Sequence, residues 1–244
     1  MKTQYSLQPI GIIHSPYKEK FGTPRQPGLV SSQCSIELIP PYNQRQALKG
    51  LEGFSHLWIS FIFDQAIRDP QSNPQSNNWQ PTVRPPRLGG NEKIGVFASR
   101  SPFRPNNLGL SVAKILDIEQ QDKKLFIHVE GLDIIDGTPV VDIKPYIPYV
   151  DAVADAKEGF ATGQPEKKLG VEFSEQANQQ LENTQNTEAL KQLIVEVLQL
   201  DPRPAYKQQE QQGEYGILLD DFNVRWVIQD RAAIVVSIEA ASTS

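Results

Sequence analysis

Runs of Val, Ile, Leu and Phe recur along the first half of the chain at residues 5–14, 32–39, 56–63, 93–98, 109–118 and 124–129, each bounded by polar, turn-forming clusters. Runs of that length and composition predict β-strands. One short helix is expected among them, at residues 42–50, so the strand–helix alternation of a doubly wound sheet is missing and a small antiparallel barrel fits better. Farther on the spacing changes. Leu190, Leu193, Ile194, Val197 and Leu198 fall at helical intervals behind Thr187, a predicted N-cap, and Asp201-Pro202 ends the run. Residues 215–219, 224–228 and 232–238 then read as strands. The pattern predicts a mainly β chain, with an N-terminal small antiparallel β-barrel domain over residues 1–155 and a smaller C-terminal α+β domain over residues 165–244. Residues 68–90, rich in Pro, Asn, Gln and Gly, interrupt the barrel pattern with a long loop of the kind that is functional or mobile.

Composition narrows the function classes. With 244 residues, 39% hydrophobic and 22% charged, the chain is long enough for one substantial core and a satellite. It holds no run of about 18 apolar residues, and its first five residues lack the apolar stretch of a signal peptide, so a cytoplasmic protein with no membrane span is expected. The single cysteine, Cys34, has neither a disulfide partner nor zinc-site spacing and is expected as a small buried hydrophobe. A net charge of −5 argues against a general polyanion binder. The distribution reverses that argument locally: residues 71–114 carry Arg84, Arg87, Lys93, Arg100, Arg104 and Lys114 against Glu92 alone, a balance of +5 that leaves −10 for the rest. A cationic surface concentrated in one segment can meet a polyanion there. Arg84, Arg87 and Arg104, with Arg203 and Arg225 from the C-terminal unit, are the candidate polyanion contacts.

Three stretches carry candidate chemistry. In GVFASRSPFRPNNLGLS (residues 95–111) an apolar run feeds a proline-stiffened turn with two arginines, whose planar donor forks suit a carboxylate or phosphate. The reading as an ordinary strand connection with solvated arginines stands beside it. Asp133, Asp136 and Asp142 lie in a turn-rich stretch where carboxylates accept from ribose hydroxyls or an ammonium, or cap turns; the EF-hand pattern is absent and no metal is expected. Residues 15–28 form a basic, proline-marked loop that is either a nucleoside contact or a solvated hairpin. His14, His56 and His128 are scattered beside apolar strands and read as satisfied core or edge residues. No GxSxG, Walker A, HExxH or GxGxxG pattern occurs, which argues against hydrolase, NTPase and dinucleotide chemistry.

The 95–111 stretch closely resembles the signature loop of the TsaA-like (YaeB) family, whose bacterial members are tRNA threonylcarbamoyladenosine methyltransferases. IGIIHSPY (10–17), PRQPG (24–28), LEGFSHLW (51–58), RPPRLGG (84–90) and DGTPVVDIKPY (136–146) look like family blocks in order, and DPRPAY (201–206) and DFNVRW (221–226) resemble the extra domain of the bacterial branch. The resemblance implies an S-adenosylmethionine-binding barrel, a homodimer with the transfer site near the subunit interface, and the tRNA anticodon loop as partner. It places cofactor contacts at Pro24, Arg25, Gln26, Asp64, Gln65, Arg100, Leu110, Asp133, Ile134, Ile135 and Asp136. A general base is expected near the acceptor nitrogen, with Asp136, Tyr146 and His56 as candidates. Two departures stand out: Asn107 occupies a position where family members often carry proline, which is expected to loosen the loop, and residues 68–78 are longer than the family pattern. A non-catalytic S-adenosylmethionine or nucleotide sensor, or an RNA-binding protein, are the readings from other classes; each needs only one of the two surfaces that the enzyme needs.

Overall fold

The computed structural model describes residues 5–68, 79–204 and 213–241. Strand β1 (Gly11–His14) buries Ile13, β2 (Gln33–Leu38) buries Cys34, Ile36 and Leu38, and β3 (His56–Ile62) buries Leu57, Ile59 and Phe61. A period of two puts each set on one face. After a short helix α1 (Asp64–Arg68) and a ribbon of β4 (Thr82–Val83) with β5 (Ile94–Gly95), the long β6 (Leu108–Gln121), β7 (Lys124–Glu130) and β8 (Pro139–Pro145) complete a closed barrel in the order β1-β2-β7-β6-β3-β8. All its pairings are antiparallel. Closure leaves no sheet edge exposed. In β6 the inward residues are Ser111 and Ala113 and then Ile118, because the register shifts between Ile115 and Asp117 and changes which parity faces in. A Cβ on Gly109 would lie 2.2 Å from Phe61 Cζ, so glycine there lets the Phe61 ring fill the barrel end.

Several expected elements take other forms. Residues 42–50 hold no α-helix; 3-10 turns at Arg45–Leu48 and Leu51–Gly53 replace it, since Pro41 and Gly50 bracket too few residues to offset helix nucleation. The first strand is shorter than the run at 5–14, beginning two residues after Pro9, which has no N–H to give a ladder. The run at 93–98 yields only β5, whose strand partner among the described residues is the two-residue β4, and then turns into a 3-10 segment, Val96–Ala98. Conversely, β8 comes from a stretch read only as turn-rich, and residues 69–78 of the long loop lie outside the described residues.

The C-terminal unit follows a connection that starts with helix α2 (Pro148–Asp151). Strand β9 (Gly170–Phe173) and helix α3 (Glu175–Glu182) escaped the sequence reading, although Ser174 caps α3 by accepting from Ala177 N at 3.1 Å. Helix α4 (Thr187–Gln199) buries the predicted apolar residues, but Thr187 is its first residue and not its cap: its hydroxyl donates to the carbonyls of Leu181 and Thr184. Strands β10 (Glu214–Leu219), β11 (Phe222–Gln229) and β12 (Ala232–Ala240) form a sheet in the order β10-β11-β12-β9, with β9 parallel to β12. Trp226, Ile194, Leu198, Val224 and Val235 are its buried centre. No helix among the described residues is long and apolar enough to cross a membrane.

The two units interlock through the loop joining β1 to β2. Tyr17, only 1% exposed, and Val30 belong to the C-terminal core. Tyr17 bridges Leu219, Asp220 N donates to the Pro16 carbonyl at 2.8 Å, and Phe21 stacks on Trp226 with ring centroids 6.0 Å apart.

Candidate methyl-donor site

Strand directions decide where the candidate residues meet. At one end of the barrel β3 finishes at Ile62 opposite Leu108, β8 begins near Pro139, and β1 finishes at His14. The segments entering or leaving there are residues 63–65, 99–107, 131–138 and 15–32. Four stretches remote in sequence therefore converge over one barrel mouth.

The signature turn is held by its own polar groups. Arg104 Nη1 donates to the Ser99 carbonyl at 2.7 Å and lies 3.4 Å from that of Val96, with its guanidinium over the Phe97 ring. Buried Asn107 donates through Nδ2 to the Pro102 carbonyl at 2.9 Å and through its backbone N–H to Arg104, while its own carbonyl accepts from Phe63 N. Its φ of 49° is left-handed, a conformation asparagine tolerates and proline cannot reach. The expected loosening at Asn107 is thus replaced by a pinned turn. Arg104 is committed to shaping that turn, which leaves Arg100 as the arginine facing the neighbouring loop: its Nη1 donates to Gln26 Oε1 at 2.5 Å.

Beside it, Ser111 donates its hydroxyl to Asp133 Oδ1 at 2.5 Å. Burial pushes the Asp133 carboxyl above the usual range, opposed by the Ser111 bond and by the charge of Arg100. Ser111 was missed in the sequence, although its place two residues before Ala113 on the inward parity of β6 was available as a signal. Asp136 accepts from Ser15 N at 2.9 Å and pairs with Lys18 Nζ at 3.0 Å. Ser15 Oγ donates to the Ile134 carbonyl, and the Ile135 carbonyl receives Thr138 Oγ1 at 2.7 Å, so the 133–136 loop is fixed at every residue. Pro24 is buried and Arg25 exposed, the latter near enough to Asp201 to feel its charge. Asp64 opens α1 with Gln65 beside it, and Leu110, 57% exposed, stands on the outer face of β6.

Other candidates lie elsewhere. Tyr146 N donates to the His56 carbonyl and the two rings are 6.2 Å apart, but both sit at the far end of β8 from Asp136. Its seven residues at ~3.3 Å each set them roughly 20 Å from the 133–136 loop within one protomer. Arg203 is not a surface group: at 2% exposure it forms a forked pair with Asp201, Nε to Oδ1 2.8 Å and Nη2 to Oδ2 2.9 Å, and lies over the Tyr215 ring. The turn at Asp201-Pro202 folds the Arg203 guanidinium onto the Asp201 carboxylate and buries both, which takes Arg203 out of the set of exposed arginines. Arg84, Arg87 and Arg225 are exposed; Arg87 donates to the carbonyls of Thr162 and Gly163, and Arg225 pairs with Glu214 at 3.0 Å. Cys34 is buried as expected, its thiol pushed up to about 12 by burial.

Known proteins share this arrangement over nearly the whole chain. A tRNA (adenine(37)-N6)-methyltransferase of Escherichia coli K12 is 45% identical over 240 residues, covering 97% of this chain and 99% of that protein. A putative S-adenosylmethionine-dependent methyltransferase, RcsF, of Pseudomonas aeruginosa is 45% identical over 225 residues, covering 91% of this chain and 92% of that one. The crystal structure of TrmO from Pseudomonas aeruginosa superposes with a TM-score of 0.76 at 37% identity, covering 98% of this chain and 99% of that chain. With residues 12–152 matching the tRNA-methyltransferase O N-terminal domain and residues 166–241 the TrmO C-terminal domain, the chain belongs to the tRNA-methyltransferase O family.

Proposed function

We propose that this protein transfers a methyl group from S-adenosylmethionine to the exocyclic nitrogen of threonylcarbamoyladenosine at position 37 of tRNA, working as a homodimer in the cytoplasm. The observation that carries the reading is the convergence of Arg100, Gln26, Ser111 and Asp133 from three loops and one strand at a single barrel mouth. The donor set fits the cofactor. The Arg100 guanidinium matches an amino-acid carboxylate, the Asp133 carboxyl accepts from ribose hydroxyls, and the exposed Leu110 supplies apolar surface for an adenine, while Ile134 is packed into the barrel core beneath.

The cofactor supplies an activated methyl group, so this chain's task is positioning and proton removal. Arg100 and Gln26, already bonded to each other, orient the donor with little further ordering. Of the three candidate bases only Asp136 stands at this barrel end; its oxygens hold Ser15 N and Lys18 and keep lone pairs for the proton of the acceptor nitrogen. Of the five candidate arginines, Arg84, Arg87 and Arg225 are exposed and available to the RNA backbone. The dimer reading rests on the outer face of β3 and β6, where Trp58 pairs with Val112, Ser60 with Leu110 and Ile62 with Leu108, a stripe beside the proposed site that is apolar except at Ser60.

The test is methyl incorporation from labelled S-adenosylmethionine into tRNA from cells able and unable to make threonylcarbamoyladenosine, followed by nucleoside mass analysis. Label is expected only in the first tRNA and on that nucleoside. Equal incorporation into both, or a methyl group on another nucleoside, overturns the substrate assignment; no incorporation with retained cofactor binding favours a sensor.

A further inference from the structure

The loop between β1 and β2 belongs to the barrel by sequence and to the C-terminal unit by packing. Its first residues are tied to the barrel through Ser15, Lys18 and Asp136. From there the chain crosses over. Tyr17 bridges Leu219, Glu19 Oε1 accepts from Leu218 N at 3.2 Å, Phe21 lies flat on Trp226 with an interplanar angle of 10°, and Gly22 abuts Ile217. The next residues are Pro24, Arg25 and Gln26, which reach back to the signature turn through the Gln26 to Arg100 bond. The return limb is fastened on both sides, by Gly28 N to the Gly131 carbonyl at 2.8 Å and by Ser31 N to Glu196 Oε2 on α4 at 2.5 Å.

A loop of this length held only at its ends would have to be ordered when a ligand engages its tip, at a conformational-entropy cost for each residue fixed. Here the ordering is done before any ligand arrives, and the contacts flanking the tip come mostly from the C-terminal unit. We infer that the C-terminal unit is a positioning element of the methyl-donor site: the Phe21 to Trp226 stack and the Glu196 to Ser31 bond hold Gln26 against Arg100, so that cofactor affinity depends on residues that never touch the cofactor. This rests on the proposed site and adds a role for the second unit apart from any contact with RNA. Phe21, Trp226 and Glu196 are positioning residues, acting through Gln26.

The test compares Phe21→Ala, Phe21→Tyr, Glu196→Gln and Arg100→Ala in the full chain. S-adenosylmethionine affinity is read by calorimetry, folding by circular dichroism, and KM and kcat with tRNA. Loss of preorganisation raises the cofactor Kd and KM in Phe21→Ala by on the order of tenfold, leaves kcat at saturating cofactor close to wild type, and is reversed in Phe21→Tyr, which keeps the ring stack. Glu196→Gln, which keeps the side-chain shape and weakens one bond, shows a smaller rise in the same direction and carries the test if Phe21→Ala does not fold. Folded Phe21→Ala and Glu196→Gln with wild-type affinity, beside an Arg100→Ala that has lost it, overturn the inference and leave the site standing. Wild-type affinity in all three overturns the site and this inference together. A fall in kcat with unchanged cofactor KM also overturns it.

Discussion

Gly22 and Ile217 meet so closely that a Cβ on Gly22 would stand 1.7 Å from Ile217 Cδ1, and Gly22 also has a left-handed φ of 86°. Ile217 is buried in the C-terminal core and has little room to move aside. Gly22→Ala combines overpacking with backbone strain and is expected to destabilise the protein by about 1–3 kcal/mol. Thermal unfolding of the variant, showing a lower Tm, checks this; an unchanged Tm means the seam between loop and sheet is looser than the structure has it.

Asp133 gives a pH-dependent signature. Burial raises its folded pKa above the unfolded value, so the folded state binds this proton more tightly than the unfolded one. Stability is therefore lost as pH rises from the unfolded carboxylate pKa through the raised folded one, and stays lower above it. Asp133→Asn keeps an oxygen to accept from Ser111 without the buried charge. It is expected to raise Tm at neutral pH, with the gain shrinking to nothing under acid conditions below the unfolded pKa, while weakening cofactor binding. A Tm difference that grows on acidification contradicts the assignment.

Loss of the Arg100 side chain removes a charged hydrogen-bond donor from the mouth. Arg100→Ala is expected to weaken S-adenosylmethionine binding by about 1.5–3 kcal/mol, or roughly ten- to hundredfold, in a folded protein. Titration calorimetry reads the change directly.

The legibility of this chain in its sequence follows from how local each signal is. The runs that became β2, β3 and β7 were readable because one apolar run and two turns define each strand. β8 was hidden because Pro139 and Pro145 frame it and Asp142 and Lys144 interrupt it, and only the partners β1 and β3 make it a strand. Arg100, Asp133 and Asp136 stood out by residue type in turn-rich stretches, and the resemblance added Gln26 and gave all four a cofactor role; which of them touch is set by the direction in which each strand enters the mouth. Arg203 shows the opposite limit: a guanidinium beside Asp201 and Pro202 reads as surface charge in one dimension, and only the fold of the turn buries it.

The dimer proposal has its own variant. Leu108 lies on the outer stripe opposite Ile62 and carries no proposed contact to the cofactor. Leu108→Glu places a charge in that stripe, where a like charge from the symmetry-related copy would face it in an isologous interface. Light scattering is expected to show a two-chain mass for the wild type and a shift toward one chain for the variant. A wild type of one-chain mass at micromolar concentration removes the proposal.

Salt dependence separates arginines that serve RNA from arginines that serve the fold. A side chain that neutralises one phosphate releases about one counterion, so replacing it should flatten the slope of log affinity against log salt by about one unit. Arg84→Ala, Arg87→Ala and Arg225→Ala are expected to flatten it in this way with little change in Tm, because all three guanidinium groups are at the surface. Arg203→Ala should do the reverse. It breaks the buried fork to Asp201 and removes the guanidinium from the Tyr215 ring, a loss of about 3–5 kcal/mol in stability for a broken buried pair. Under conditions where that variant remains folded its salt slope should equal the wild type's. Filter binding to tRNA across a salt series, run beside thermal unfolding for all four variants, gives both readouts. A flattened slope in Arg203→Ala would return that residue to the RNA surface, and slopes unchanged in the other three would move the RNA to another face of the protein.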